Sequence, residues 1–130
     1  MISFWKKRWV YGDKIEINEI GKQVYIKDII DLIKNDNYEV VLRDKNENFI
    51  IKYNLDKKKI KQMLLSLEKD DIQYQVEDIE YTKYGPEPLV VFKKQFNLID
   101  MFARNKNEIV YIKIKMKEEN LPIISFHLDE

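Results

Sequence analysis

Near the end of the chain, a phenol, an ammonium, a hydroxyl and the single imidazole recur at intervals of two: Tyr111, Lys113, Ser125 and His127. They sit in two stretches, Glu108–Lys117 (E-I-V-Y-I-K-I-K-M-K) and Leu121–Leu128 (L-P-I-I-S-F-H-L), that alternate apolar and polar residues. Period two marks a strand with one buried and one open face. Val110, Ile112, Ile114 and Met116 form the expected buried row of the first strand, and Ile124, Phe126 and Leu128 that of the second. A hairpin turning about Glu119 sets Tyr111 opposite His127 and Lys113 opposite Ser125, all on the other face. Imidazole is the one side chain whose ordinary pKa lies near neutrality, and an ammonium beside it suits phosphate chemistry. The bland reading is also open: exposed strand faces and protected edges ordinarily carry lysines.

Composition narrows the alternatives. The chain has 130 residues, 45% hydrophobic and 35% charged, which is one ordered domain with a real core. It has no cysteine and one histidine, which argues against disulfides, thiolate nucleophiles and the usual zinc sites. No glycine-rich phosphate loop, H-E-x-x-H or G-x-S-x-G occurs. We expect no metal and no cofactor. No secretion signal or membrane span is read from the short apolar runs, so a cytoplasmic location is the expectation.

Formal net charge is zero, yet its distribution is uneven. Residues 1–14 carry net +3, residues 68–80 net −5 and residues 82–117 net +5. The part holding the terminal hairpin is therefore basic, as a nucleic-acid partner would require, although such blocks also arise by chance in a Lys/Glu-rich chain.

The elements that must position these residues read as follows. Residues 1–24 form an N-terminal arm, with Trp5 and Trp9 around Lys6-Lys7-Arg8, and a short alternating strand over Lys14–Ile20 ended by Gly21. Tyr25–Lys34 spaces Ile26, Ile29, Ile30 and Ile33 as one helical face. Tyr38–Arg43 and Asn48–Tyr53 read as a β-hairpin through D-K-N-E. A second helix, capped by Asn54 or Asp56, buries Ile60, Met63, Leu64 and Leu67. Strands follow over Asp71–Tyr84 and Leu89–Phe96, separated by Gly85-Pro86-Glu87-Pro88, and residues 97–107 form a helical turn or long loop. The expected class is α+β: two helices in the N-terminal half packed on a mainly antiparallel sheet, with residues 25–130 as the domain.

This order resembles the MqsR family, ribonuclease toxins of type II toxin–antitoxin modules with a RelE-like messenger-RNA interferase fold. The resemblance runs over about residues 25–130. It rests on Y-I-K-D-I-I-D-L-I-K-N, on Y-E-V-V-L-R to I-I-K-Y, on D-K-K-K-I-K-Q-M-L-L-S-L, and above all on V-Y-I-K-I-K followed by I-I-S-F-H. It implies a metal-independent endoribonuclease that cleaves single-stranded messenger RNA and is inhibited by an antitoxin encoded nearby. Tyr111 matches a family tyrosine proposed to act in cleavage. His127 stands where well-known members have lysine. A further family lysine falls near Tyr74 or Gln75, and residues 1–24 have no counterpart.

Such cleavage needs a base for the 2′-hydroxyl, cations for the phosphorane and an acid for the 5′-oxygen. The expected catalytic set is His127, Tyr111, Lys113 and Lys93. Lys94, Arg104, Lys115 and Tyr84 are the expected RNA contacts, with Tyr25 and Tyr81 as weaker stacking candidates. The competing expectation is a non-catalytic, toxin-like module that binds RNA or a partner protein.

Overall fold

The computed structural model describes residues 14–77 and 87–129. Three helices pack on one face of a five-stranded sheet. Helix α1 spans Glu19–Lys34, strand β1 Tyr38–Val40, α2 Asp44–Lys52 and α3 Lys57–Leu65. Strands β2 (Ile72–Glu77), β3 (Pro88–Ile99), β4 (Asn105–Lys115) and β5 (Leu121–Leu128) follow. The sheet order is β1-β5-β4-β3-β2. All neighbours are antiparallel except β1 and β5, which run parallel. The class is α+β. Among the described residues no helix is long and apolar enough to cross a membrane.

Sequence and structure agree on α1 and α3. Asp56 caps α3 through the Lys59 amide at 2.8 Å, and Ile60, Met63, Leu64 and Leu67 are buried as their spacing requires. At the chain's start they differ. Asn18 accepts the Gly21 amide at 2.8 Å and Glu19 lies in the first turn, so the helix begins six residues before Tyr25. What remains of the expected strand is one bridge, Ile15 to Gln75. The expected boundary at residue 25 falls inside α1. Gly21 lies within the helix; a Cβ there would meet Ile17 at 2.8 Å.

The expected hairpin over residues 38–53 does not form. Only β1 is a strand, and it pairs with β5 (Tyr38 with Leu121, Val40 with Ile123). Asp44–Lys52 is helical, a third helix where two were expected. Asp44 and Glu47 in its first turn suit the positive helix end. Asn46, Phe49 and Tyr53, spaced three and four apart, put one face against the sheet. Phe49 packs edge-on to Phe126, ring centroids 5.3 Å apart. Hiding that ring stabilises the fold by roughly 1.5–3 kcal/mol, enough to override the β preference of Phe49-Ile50-Ile51.

Asn46 is the most constrained polar residue of this layer. It is 1% exposed. Its Oδ1 accepts the Phe126 amide at 2.8 Å, while its Nδ2 donates to the carbonyls of Ile124 (3.0 Å) and Val41 (2.9 Å). β1 ends at Val40, so a side-chain amide takes the place of a strand along that edge of β5. Here β5 carries a bulge: Ile114 faces Ile123 but Lys113 faces Ser125. Ile124 is the extra residue, and Ile123 with Leu121 takes the core place expected for it.

The β3–β4 connection also differs from expectation. Residues 97–107 are mostly strand, closed by a tight turn at Asp100–Arg104. Asp100 Oδ1 accepts the Phe102 and Arg104 amides at 2.9 and 3.0 Å, and Oδ2 accepts Arg104 Nε at 2.8 Å. These bonds hold Ala103 at φ 62, a left-handed conformation that few non-glycine residues adopt. The turn is tied to α2, because the Met101 amide donates to the Lys52 carbonyl at 2.8 Å. Farther along the same hairpin, the buried Tyr53 hydroxyl donates to Glu108 at 3.0 Å.

Two expectations follow. Asn46→Ala leaves the Phe126 amide unpaired and the Ile124 carbonyl with Arg43 alone, and should cost about 1–3 kcal/mol, read as a lower urea midpoint at unchanged m. Burial first, then the hydrogen bond to Glu108, push the Tyr53 phenol up to about 12 from an ordinary value of 10. A raised folded-state pKa contributes stability that is complete below pH 10 and lost as pH rises toward 12. Unfolding midpoints measured across that window should fall more steeply for the wild type than for Tyr53→Phe.

Candidate functional site

Strand β4 lies at the centre of the sheet, and its alternation sends Val110, Ile112 and Ile114 into the helical layer and Tyr111, Lys113 and Lys115 to the other face. The register then assembles a row across three strands: Lys93 of β3 opposite Tyr111, and Tyr111 opposite His127 of β5. The expected pairing of Tyr111 with His127 and of Lys113 with Ser125 is found. The Tyr111 and His127 rings stack with centroids 5.5 Å apart and planes at 23°. Lys113 Nζ lies 6.0 Å from the Tyr111 ring centroid. Tyr111, Lys113 and His127 are all half-buried, so the row is neither sealed nor loosely solvated.

The imidazole has a defined orientation. His127 Nδ1 is 2.9 Å from the Leu128 carbonyl oxygen. A carbonyl only accepts, so Nδ1 carries the proton and Nε2 of the neutral ring presents a lone pair. That tautomer suits a general base. Lys93 is partly engaged: its Nζ lies 3.4 Å from Asp129 Oδ2, and the Asp129 amide donates to the Ile109 carbonyl at 2.8 Å. The Lys93 side chain is still 39% exposed, leaving room for a second anion.

The other expected contacts do not converge on this row. Lys94 alternates to the helix side and pairs with Asp71 at 3.2 Å and Glu68 at 3.5 Å. Arg104 sits at the hairpin turn, paired with Asp100; seven strand residues, roughly 23 Å, separate it from Tyr111. Burial alone would raise the Asp100 carboxyl pKa, but the hydrogen bonds from the Arg104 and Phe102 amides and the Arg104 guanidinium outweigh it and hold the carboxyl below its ordinary value, so the pair persists at neutral pH. Lys115 faces the right side but is fully buried, as are Leu89 and Val91 on that face, so it offers no cation to a polymer. Tyr84, Tyr81 and the Trp5/Trp9 arm lie outside the described residues. Tyr25 is on α1, where its hydroxyl donates to Gln75 Oε1 at 2.8 Å.

Sequence reasoning missed Arg43. It precedes α2 and its Nη1 reaches the Ile124 carbonyl at 3.2 Å and Ser125 Oγ at 3.5 Å, adding a cation at the open edge of β5. The signal was present in the acid-first run D-K-N-E, which suits a helix start as well as a turn.

A cleft lies elsewhere on the molecule. It measures about 1020 Å³ and is bounded by Tyr25, Asp28, Asp31, Met116, Glu118 and Pro122, an acidic rim at the far end of β4. Among the described residues no group of three or more His, Asp or Glu side chains is arranged to hold a metal ion.

Comparison of the chain with protein-family models, with curated proteins and with solved structures found no match.

The tautomer is directly checkable. Long-range ¹H–¹⁵N spectra of the neutral imidazole should show a protonated Nδ1 and a pyridine-like Nε2; the reverse pattern would remove the base from this face.

Proposed function

We propose that the Lys93–Tyr111–His127 row, on the side of β3, β4 and β5 turned away from the helices, is the site of a metal-independent endoribonuclease acting on single-stranded RNA. The observation that carries this reading is the Lys93–Tyr111–His127 row, with a stacked phenol–imidazole pair and Lys113 beside it. In the proposed reaction, Nε2 of His127 takes the 2′-hydroxyl proton. The 2′-oxygen bonds to the adjacent phosphorus, the bond from phosphorus to the 5′-oxygen breaks, and the products are a 2′,3′-cyclic phosphate and a 5′-hydroxyl. Lys93 and Lys113 offset the added negative charge of the phosphorane. The 5′-oxygen takes its proton from a donor on the same face, for which Tyr111 and Lys113 are placed. The resemblance of V-Y-I-K-I-K and I-I-S-F-H to MqsR-type sequences supports a toxin held in check by a cognate antitoxin.

A second reading has its own support. Lys93 already has a carboxylate neighbour, and a cleft with an acidic rim lies away from the imidazole. A non-catalytic module that binds RNA on the sheet face, or a protein partner, fits those two facts.

Cleavage separates the readings. The full chain should cut an unstructured RNA in the presence of EDTA and leave cyclic phosphate ends. His127→Ala should slow cutting by about 10²–10⁴-fold, the usual range for loss of a general acid or base. Absence of cutting by the wild type, or equal cutting by His127→Ala, would leave only the binding module.

A further inference from the structure

Arg43 stands where β5 loses its strand neighbour. Its guanidinium is anchored to the Ile124 carbonyl at 3.2 Å, with Ser125 Oγ at the long limit of contact, 3.5 Å. Asn46 donates to that same carbonyl at 3.0 Å, so the bulge does not depend on the arginine to satisfy it. A guanidinium has five N–H donors, and these contacts use one nitrogen.

Several of the other cations are already paired. Lys61, Lys69, Lys93, Lys94, Arg104 and Lys117 each meet a carboxylate. Arg43 is exposed and has no carboxylate partner among the described residues. The acids nearest in sequence, Asp44 and Glu47, belong to the first turn of α2; the Glu47 amide donates to the Arg43 carbonyl at 2.9 Å, and neither carboxylate pairs with the guanidinium. An exposed arginine commonly waves free in solvent. This one is moored to a backbone carbonyl on a sheet edge, which fixes where its remaining donors stand.

The position has a chemical meaning. Ser125, buried and opposite Lys113 on β4, is two residues from His127 on the same face of β5. Two strand residues span about 6.6 Å. Arg43, held beside Ser125 at the edge, therefore stands about one strand repeat from the imidazole.

We infer that Arg43, moored beside Ser125 at the edge of β5, forms a phosphate subsite next to the His127 row. The ligand class is a phosphodiester of a single strand, held next to the scissile one. Naming that polymer as RNA rests on the nuclease reading; the anion site itself does not. The planar fork of Arg43 grips two phosphate oxygens at once, which an ammonium does not do.

Two measurements on the full chain test the subsite. Inorganic pyrophosphate, titrated into ¹⁵N-labelled protein, should shift the Arg43 Nε–H and Ser125 amide signals, and Arg43→Ala should abolish the Ser125 shift. Binding of fluorescein-labelled 2′-O-methyl oligouridylate, which lacks the nucleophile and stays intact, should weaken with salt. Loss of one phosphate contact in Arg43→Ala should reduce the slope of log affinity against log salt by about 0.7. Arg43→Lys retains the charge and serves if the alanine variant misfolds; it should restore the slope but bind pyrophosphate more weakly than wild type.

The outcomes are distinct. Pyrophosphate shifts without oligonucleotide binding would keep the anion site and remove RNA as its polymer. Oligonucleotide binding by wild type with the same slope and the same pyrophosphate response in the Arg43 variants would overturn the subsite and leave the nuclease reading standing. No response of wild type to either probe would overturn both.

Discussion

One carboxamide decides what the terminal strand can present. β5 is paired to β4 from Ile123 to Leu128, but along its other edge β1 supplies only three residues. Beyond Ile123 the backbone would meet the helical layer with open N–H and C=O groups. Leaving such groups dry costs about 1–3 kcal/mol each. The side chain of Asn46 meets both, accepting from Phe126 and donating to Ile124, and it does so from a helix. The bulge it accommodates brings Ile123 into the core while Ser125 and His127 keep to the opposite face. Placement of the imidazole is thus linked to α2 by hydrogen bonds as well as by the Phe49–Phe126 contact.

That linkage explains which parts of the fold were legible in the chain. The pairing of Tyr111 with His127 followed from alternation in two strands joined by a short turn, a local pattern that the core enforces on one face. α3 was equally clear because its cap and its apolar spacing agree. Residues 38–53 were not legible. Their β-branched and aromatic residues favour strand, and only long-range burial of Asn46, Phe49 and Tyr53 against the C-terminal hairpin makes the helix win. Misreading that stretch hid both Asn46 and Arg43, since a hairpin would have placed them at a solvent turn. The Ile124 bulge was hidden for a related reason: alternation carries no mark of an inserted residue.

Charge was legible in amount and misleading in placement. The basic excess over residues 82–117 suggested a continuous cationic face. Alternation divides it: Lys94 turns to the helix side toward Asp71 and Glu68, Arg104 is occupied at a distant turn, and Lys115 is buried. What remains on the open side is a small group, Lys93 and Lys113 with Arg43 joining from the edge. Acids of residues 68–80 serve in part as local partners for those same lysines. Regional net charge therefore overstated the field at the site, and the position and partner of each cation describe it better.

The scaffold suits a site that must hold its geometry without a pocket. Tyr111 and Lys113 belong to the central strand, flanked on both sides by long antiparallel partners, where backbone motion is smallest and side-chain spacing is set by the pleat. Stacking on Tyr111 limits the imidazole's tilt, and the Leu128 carbonyl limits its rotation. Leu89, Val91, Lys115 and Ser125 on the same face are buried, so only the part around Lys93, Tyr111 and His127 reaches solvent. On the nuclease reading, successive phosphates of one strand would engage more than one cation, and selectivity would follow the spacing of Lys93 and Arg43 across that limited opening.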